Sequence, residues 1–159
     1  MSLTIDLHRP ESDELWFRQK LLSDPDTMSY NNKWGGTIAF PPEKWDDWYQ
    51  RWVSQSEDKR FYRYLTYDDM FVGEAAYHYD DARGIFLCDI VVYAKYRGKG
   101  HGTAGLRLLC EAAKENRVAV LYDDIGLDNP AVKLFLDNGF EVVQQTEDVV
   151  TVKKILGEN

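Results

Sequence analysis

One stretch constrains this chain more than any other. An apolar run from Ile85 to Val92, interrupted only by Asp89, leads into Arg97-Gly98-Lys99-Gly100-His101-Gly102-Thr103. A run with Leu106, Leu109, Cys110 and Ala113 on one helical face follows, to about Asn116. The apolar run predicts a central strand covered on both faces. Val118 to about Ile125 reads as the next strand, so the unit is strand, helix, strand, which calls for a right-handed crossover between parallel neighbours. Phe61 to Tyr67 and Met70 to Tyr79, separated by Asp68-Asp69, predict antiparallel strands before it. Pro130 opens a short helix that Gly139 ends, and Phe140 to Gln145 with Val149 to Ile155 reads as a hairpin. The expected fold class is α/β of the α+β type: a mixed, mostly antiparallel sheet with one parallel strand pair and helices on both faces.

The first sixty residues carry a different pattern. Ser12 or Asp13 can cap a helix to about Leu22. Thr27 to Pro42 is irregular yet holds Met28, Tyr30, Trp34 and Phe40, so it packs down or lines something. Pro41-Pro42 opens a second helix through Gln55, with Trp45, Trp48, Tyr49 and Trp52 at helical spacing; such a stripe reads as core before it reads as a ligand box. At 159 residues one domain is expected. Cys88 and Cys110 have no CxxC spacing and no companion histidines, which predicts reduced thiols and no metal site. The N-terminal residues form no apolar signal run and no membrane span is readable, so a cytoplasmic location is expected.

The glycine-rich segment carries the chemistry. Placed between a buried strand and a helix, its consecutive N–H groups and the positive helix end converge on one spot, which suits phosphate. The chain is acidic, with a net charge of −8, which disfavours nucleic acid or an anionic membrane as partner. Yet Ile90 to Cys110 holds Lys95, Arg97, Lys99 and Arg107 and no acid. That island is sized for a discrete anion. GxxxxGK[ST] is absent, which disfavours nucleotide hydrolysis. A dinucleotide fingerprint fails at Thr103, and no strand follows in time to carry its ribose-binding acid. A plain glycine turn is the remaining alternative.

Arg97-x-x-Gly100-x-Gly102, preceded by Ile90-Val91-Val92, resembles the pyrophosphate motif of the GNAT superfamily of acyl-CoA-dependent N-acetyltransferases. Asp128-Asn129-Pro130-Ala131-Val132-Lys133-Leu134-Phe135-Leu136-Asp137-Asn138-Gly139-Phe140 resembles that family's second motif. The resemblance implies a GNAT-like sheet whose parallel pair splays around acetyl-CoA, with residues 1–59 as a helical acceptor-side region and 60–156 as the cofactor-binding core. It further implies that Ile90, Val91 and Val92 offer backbone groups to pantetheine, that Arg97, Gly98, Lys99, Gly100, His101, Gly102 and Thr103 hold the pyrophosphate, and that Asp128, Asn129 and Phe135 flank the arm. The Val92 N–H, freed from the ladder by a bulge, becomes the oxyanion donor. Met28, Tyr30, Trp34 and Tyr122 are the expected acceptor-side walls.

The implied reaction is direct attack of an amine on the thioester. An amine with a pKa of ~10.4 is mostly protonated at pH 7, so a base is useful. Asp89, Asp124 and Glu74 are the candidates. A carboxylate in an apolar strand costs several kcal/mol unless partnered, and the alternative for Asp89 is a structural acid bonded to backbone N–H groups or a buried arginine. Phe135 stands where the family usually has a proton-donating tyrosine, leaving Tyr122, Tyr93 or water as substitutes. That departure supports a second reading, a non-catalytic acyl-CoA-binding sensor or scaffold. Transfer to an alcohol would require a stronger base than the sequence shows. Homodimerisation through the C-terminal hairpin or the aromatic helix is compatible with the sequence.

Overall fold

The computed structural model describes residues 4–54 and 59–157. Seven strands form one sheet: β1 (Asp6–His8), β2 (Arg60–Tyr67), β3 (Met70–Asp80), β4 (Ile85–Val92), β5 (Val120–Gly126), β6 (Glu141–Gln145) and β7 (Val149–Ile155). The helices are α1 (Trp16–Ser23), α2 (Trp45–Tyr49), α3 (His101–Glu115) and α4 (Ala131–Asp137). The order across the sheet is β1-β2-β3-β4-β5-β7-β6, and only β4 and β5 run parallel. The expected mixed sheet is present.

Three differences from the sequence expectation lie in the N-terminal part. β1 pairs with β2 through Asp6, Leu7 and His8. α1 begins at Trp16, beyond the expected cap at Ser12 or Asp13. The second helix is not uniform either: a 3-10 turn over Pro42–Lys44 precedes α2, and a π turn over Gln50–Ser54 follows it. Gln55, its expected end, lies outside the described residues.

Alternation along the strands separates two cores. Cys88, Leu121, Ile125 and Phe135 belong with Leu106 and Leu109 on the face of α3 and α4. Leu21, Trp48, Tyr62 and Ala76 belong to the cluster on the face of α1 and α2. Trp48 is buried there, edge-on to Tyr62 with ring centres 4.7 Å apart. The aromatic stripe is therefore core, as its spacing predicts.

The β4–β5 pairing is short. Phe86 faces Leu121, Leu87 faces Tyr122, and no further pair forms. Beyond them the strands part. Register places Cys88 and Asp89 on one arm of the gap and Asp123 and Asp124 on the other, at its apex.

Candidate active site in the gap between two parallel strands

A cavity of about 510 Å³ occupies the gap and reaches from the glycine loop to the face of α1. Met28 and Tyr30 line it, while Tyr122 and Tyr93 do not. The side chain of Trp34 lies outside the described residues. Lys99, Thr103 and Asp128 are also absent from the described lining, and Asn129 and Phe135 belong to it.

The backbone of β4 offers two sets of peptide groups. Tyr93 N–H donates to the Val72 carbonyl at 2.8 Å. By antiparallel alternation, residues 89, 91 and 93 therefore turn their peptide groups to β3, while residues 90 and 92 turn theirs to the open gap. Val91, expected to offer backbone groups here, instead pairs with Glu74. The expected bulge at Val92 is absent, since the β3–β4 register runs without a shift from Gly73–Val92 to Asp80–Ile85. The irregularity lies one strand away, between Leu65 and Thr66 of β2. It is the parting of β5, not a bulge, that leaves the Val92 amide without a ladder partner.

The glycines of the loop serve separate purposes. Gly98 and Gly100 sit at φ +78° and +83°, where a side chain is strained. Gly102 has ordinary φ but lies against Leu134, whose Cδ2 is 3.3 Å from where a Cβ would stand. The N-terminal α3 bond runs from Ala104 N–H to the Gly100 carbonyl, so the amides of His101, Gly102 and Thr103 have no acceptor within the helix. Together with the positive end of a 15-residue helix, these free amides suit an anion. The His101 side chain is buried against Tyr67, with ring centres 4.8 Å apart, rather than free in the loop. Arg97 donates to the carbonyls of Asp26, at 3.2 Å, and Thr27, at 2.7 Å. The Ala94 amide donates to Thr27 Oγ1 at 2.9 Å. Arg97 thus clamps the irregular N-terminal segment onto the glycine loop. Asn129 Oδ1 accepts from the Ala131 amide at 2.9 Å, fixing the start of α4.

The three expected carboxylates differ sharply. Glu74 is buried and its Oε2 accepts from Arg18 Nη1 at 3.0 Å. The Arg18 guanidinium lies 4.4 Å from the Trp48 ring centre, with Phe40 and Tyr62 at 5.1 and 5.3 Å. Asp124 accepts from Arg83, at 2.5 and 3.3 Å, and from Thr151 Oγ1 at 2.7 Å. Although burial opposes this, the Arg83 and Thr151 contacts hold its carboxyl below the ordinary range. Both acids are therefore engaged. Asp89 opens onto the cavity but is ringed by protein, and desolvation together with Glu74 pushes it up to about 7, against the pull of Arg18.

The model of the acetyltransferase (GNAT) family matches residues 14–140. The chain belongs to the GNAT acetyltransferase family. Its fold is shared with several solved members. A putative acetyltransferase of Salmonella typhimurium, yncA, solved with acetyl-CoA, is 16% identical, with coverage of 100% of this chain and 96% of that one and a TM-score of 0.75. The ribosomal-protein-alanine N-acetyltransferase of Brucella melitensis is 21% identical over 94% of this chain and 99% of its own, also at 0.75. The paia N-acetyltransferase of Thermoplasma acidophilum, in complex with coenzyme A, is 14% identical over 98% and 99%, at 0.68. A search of curated protein sequences finds no match.

Two residues of this GNAT chain escaped the sequence reading. Arg18 carries no local signal, because its ion pair with Glu74 spans 56 positions. Asp123 adjoins the expected base Asp124, and its strict inward alternation with Leu121 and Ile125 was the signal available. Among the described residues no group of three or more His, Cys, Asp and Glu side chains is placed to hold a metal ion. No described helix is long and apolar enough to cross a membrane.

Proposed function

We propose that this GNAT protein transfers an acetyl group from acetyl-CoA to an amine by direct attack on the thioester. The observation that carries the reading is the continuity of two backbone surfaces along one cavity: unpaired amides at the start of α3, and the free edge of β4 running from Val92 toward the apex. The residues fit the group. Gly98 and Gly100 hold conformations that bring N–H groups to a phosphate, and the Ile90 and Val92 peptide groups suit the amides of an extended arm. Acetyl-CoA supplies the activated acyl group.

The chain's own part is positioning and proton management. The Ile90 and Val92 N–H groups point into the gap, and the donor nearest the thioester at the apex stabilises the developing oxyanion; one such donor is worth ~100- to 1,000-fold in rate. Asp89 is the base. Raised toward neutrality, it is ionised in part at pH 7 and lies on the cavity floor, on the α1 side where the acceptor enters. Burial, and after it Glu74, raise that value, and Arg18 lowers it. Met28 and Tyr30 form the apolar wall, and Arg97 holds their segment in place.

Calorimetry with acetyl-CoA tests the cofactor half, with Gly100→Trp as the control that loses binding. Thiol release across a panel of amines tests the transfer. Phe135 supports the second reading, an acyl-CoA-binding module without turnover, because it is buried against Phe140 and carries no proton. Thiol release with any amine, abolished by Asp89→Asn, rejects that reading; binding without release under all amines rejects the first.

A further inference from the structure

We propose that Asp123 is the proton donor to the departing thiolate, filling the role that Phe135 leaves open. The inference rests on the acetyl-transfer reading above. Its geometric basis is the register of the splay. Pairing of Phe86 with Leu121 and of Leu87 with Tyr122 puts Asp123 level with Cys88, one step past the last pair. An arm lying along β4 from Val92 reaches that level after four residues, or ~13 Å at 3.3 Å each. The reacting end of such an arm therefore lies at the apex.

The two sides of the sheet divide the work there. Cys88, Leu121, Ile125 and Phe135 form the core on the α3 and α4 side. Asp123 lies between Leu121 and Ile125 on β5 and shares their side. Asp89 alternates with Cys88 and takes the opposite side, with Ala76 as its partner across the ladder. Both acids line the same cavity. An amine approaching from the α1 side thus meets Asp89, while the sulfur departs toward Asp123 and Phe135. Among the described residues no cation pairs with Asp123. The charged groups acting on it are Asp89 across the gap and Asp124 on its own strand, Asp124 being neutralised by Arg83; the neighbouring Cys88 thiol is itself raised by burial. β7 places Val152 opposite it. Burial and these two carboxylates raise Asp123 well above the ordinary value, while the Asp124 backbone offsets this in part. With Asp89 raised to about 7 and Asp123 raised well above its ordinary value, proton release from both acids is shifted toward neutrality.

The step balances. The nitrogen of a neutral amine forms a bond to the acetyl carbon and gives one proton to the Asp89 carboxylate. The carbon–sulfur bond breaks with its electron pair on sulfur, and the Asp123 proton passes to sulfur. The products are an amide and a free thiol. Return of a proton from Asp89 to Asp123 through solvent restores the starting state.

The test has two arms. Carbon-13 titration of the aspartate carboxyls in the CoA complex, with the Asp123 signal assigned through Asp123→Asn, is expected to show Asp123 protonated at pH 7. An ionised Asp123 overturns the proposal whether or not an acceptor has been found, and leaves the acetyl-transfer reading standing. In the kinetic arm, Asp123→Asn is expected to bind acetyl-CoA as the wild type does, to lose ~100-fold or more in thiol release, and to lose the alkaline fall of the pH–rate profile. Phe135→Tyr added to Asp123→Asn is expected to restore at least a tenth of the rate, which a merely structural role of Asp123 would not permit. Unchanged turnover in Asp123→Asn overturns the assignment; failure of the wild type to bind acetyl-CoA overturns the underlying reading as well.

Discussion

Replacing Asp89 by Asn is expected to stabilise the protein at alkaline pH while removing its turnover. A folded-state pKa of about 7 against an ordinary 3.8 amounts to at most about 4 kcal/mol, at ~1.36 kcal/mol per unit. The carboxyl opens onto the cavity, and solvent screening reduces this to about 1–2 kcal/mol. The sign follows from linkage. The folded state holds the Asp89 proton more tightly than the unfolded chain does, so this contribution to stability is whole below about pH 4 and gone above about pH 7. Asparagine does not titrate. The stability difference, variant minus wild type, should therefore grow by about 1 kcal/mol between pH 5 and pH 8 and then level off. At a urea slope of about 2 kcal/mol per molar, that is a relative midpoint shift of about 0.5 M. Urea denaturation of both proteins at four pH values reads it directly, and loss of the Asp89 charge relaxes Asp123 in the same direction. A difference that is flat from pH 5 to pH 8, or that shrinks, refutes the placement of a raised carboxyl at the apex.

Three further outcomes follow from the geometry. Asp124→Asn should keep turnover but move the alkaline limb of the pH–rate profile to lower pH, because one of the two carboxylates that raise Asp123 is gone, and cost about 1 kcal/mol in denaturation, its ion pair with Arg83 being partly solvated. Glu74→Gln leaves the Arg18 charge without its partner among three aromatic rings and should cost about 3 kcal/mol by urea denaturation, with Arg18→Met added to it recovering more than half. Gly100→Ala, at φ +83°, should cost about 1–2 kcal/mol and weaken acetyl-CoA binding about tenfold by calorimetry.

The elements legible in the sequence are those whose pattern is local. β4, α3 and α4 each carry their periodicity, turn residues and caps within a few positions, and the structure places them within one or two residues of the expectation. β1 was not legible, because three residues with one apolar side chain carry no pattern; pairing with β2 makes it a strand. The position of β7 between β5 and β6 was not legible either, since alternation specifies a strand but not its neighbour. The same limit governs the site. The glycine loop is contiguous and readable. Which member of Asp123-Asp124 would meet a cation depends on Arg83, 41 residues away, and the partner of Glu74 is Arg18, 56 residues away.

The cavity and the unusual acids are one feature of the topology. Had β4 and β5 remained paired past Leu87 and Tyr122, the Val92 amide would have a ladder partner, and no slot would exist for an extended arm. The same parting removes the neighbouring strand from Asp89 and Asp123, so neither obtains a cross-strand partner of the kind that settles a carboxylate elsewhere in the sheet. Asp124 escapes only because its side faces Arg83 and Thr151. The chain therefore tolerates one carboxyl only partly compensated by Arg18, and a second without a cation, at the place where a base and an acid are useful, and a substitution that relieves either one should gain stability as it loses turnover.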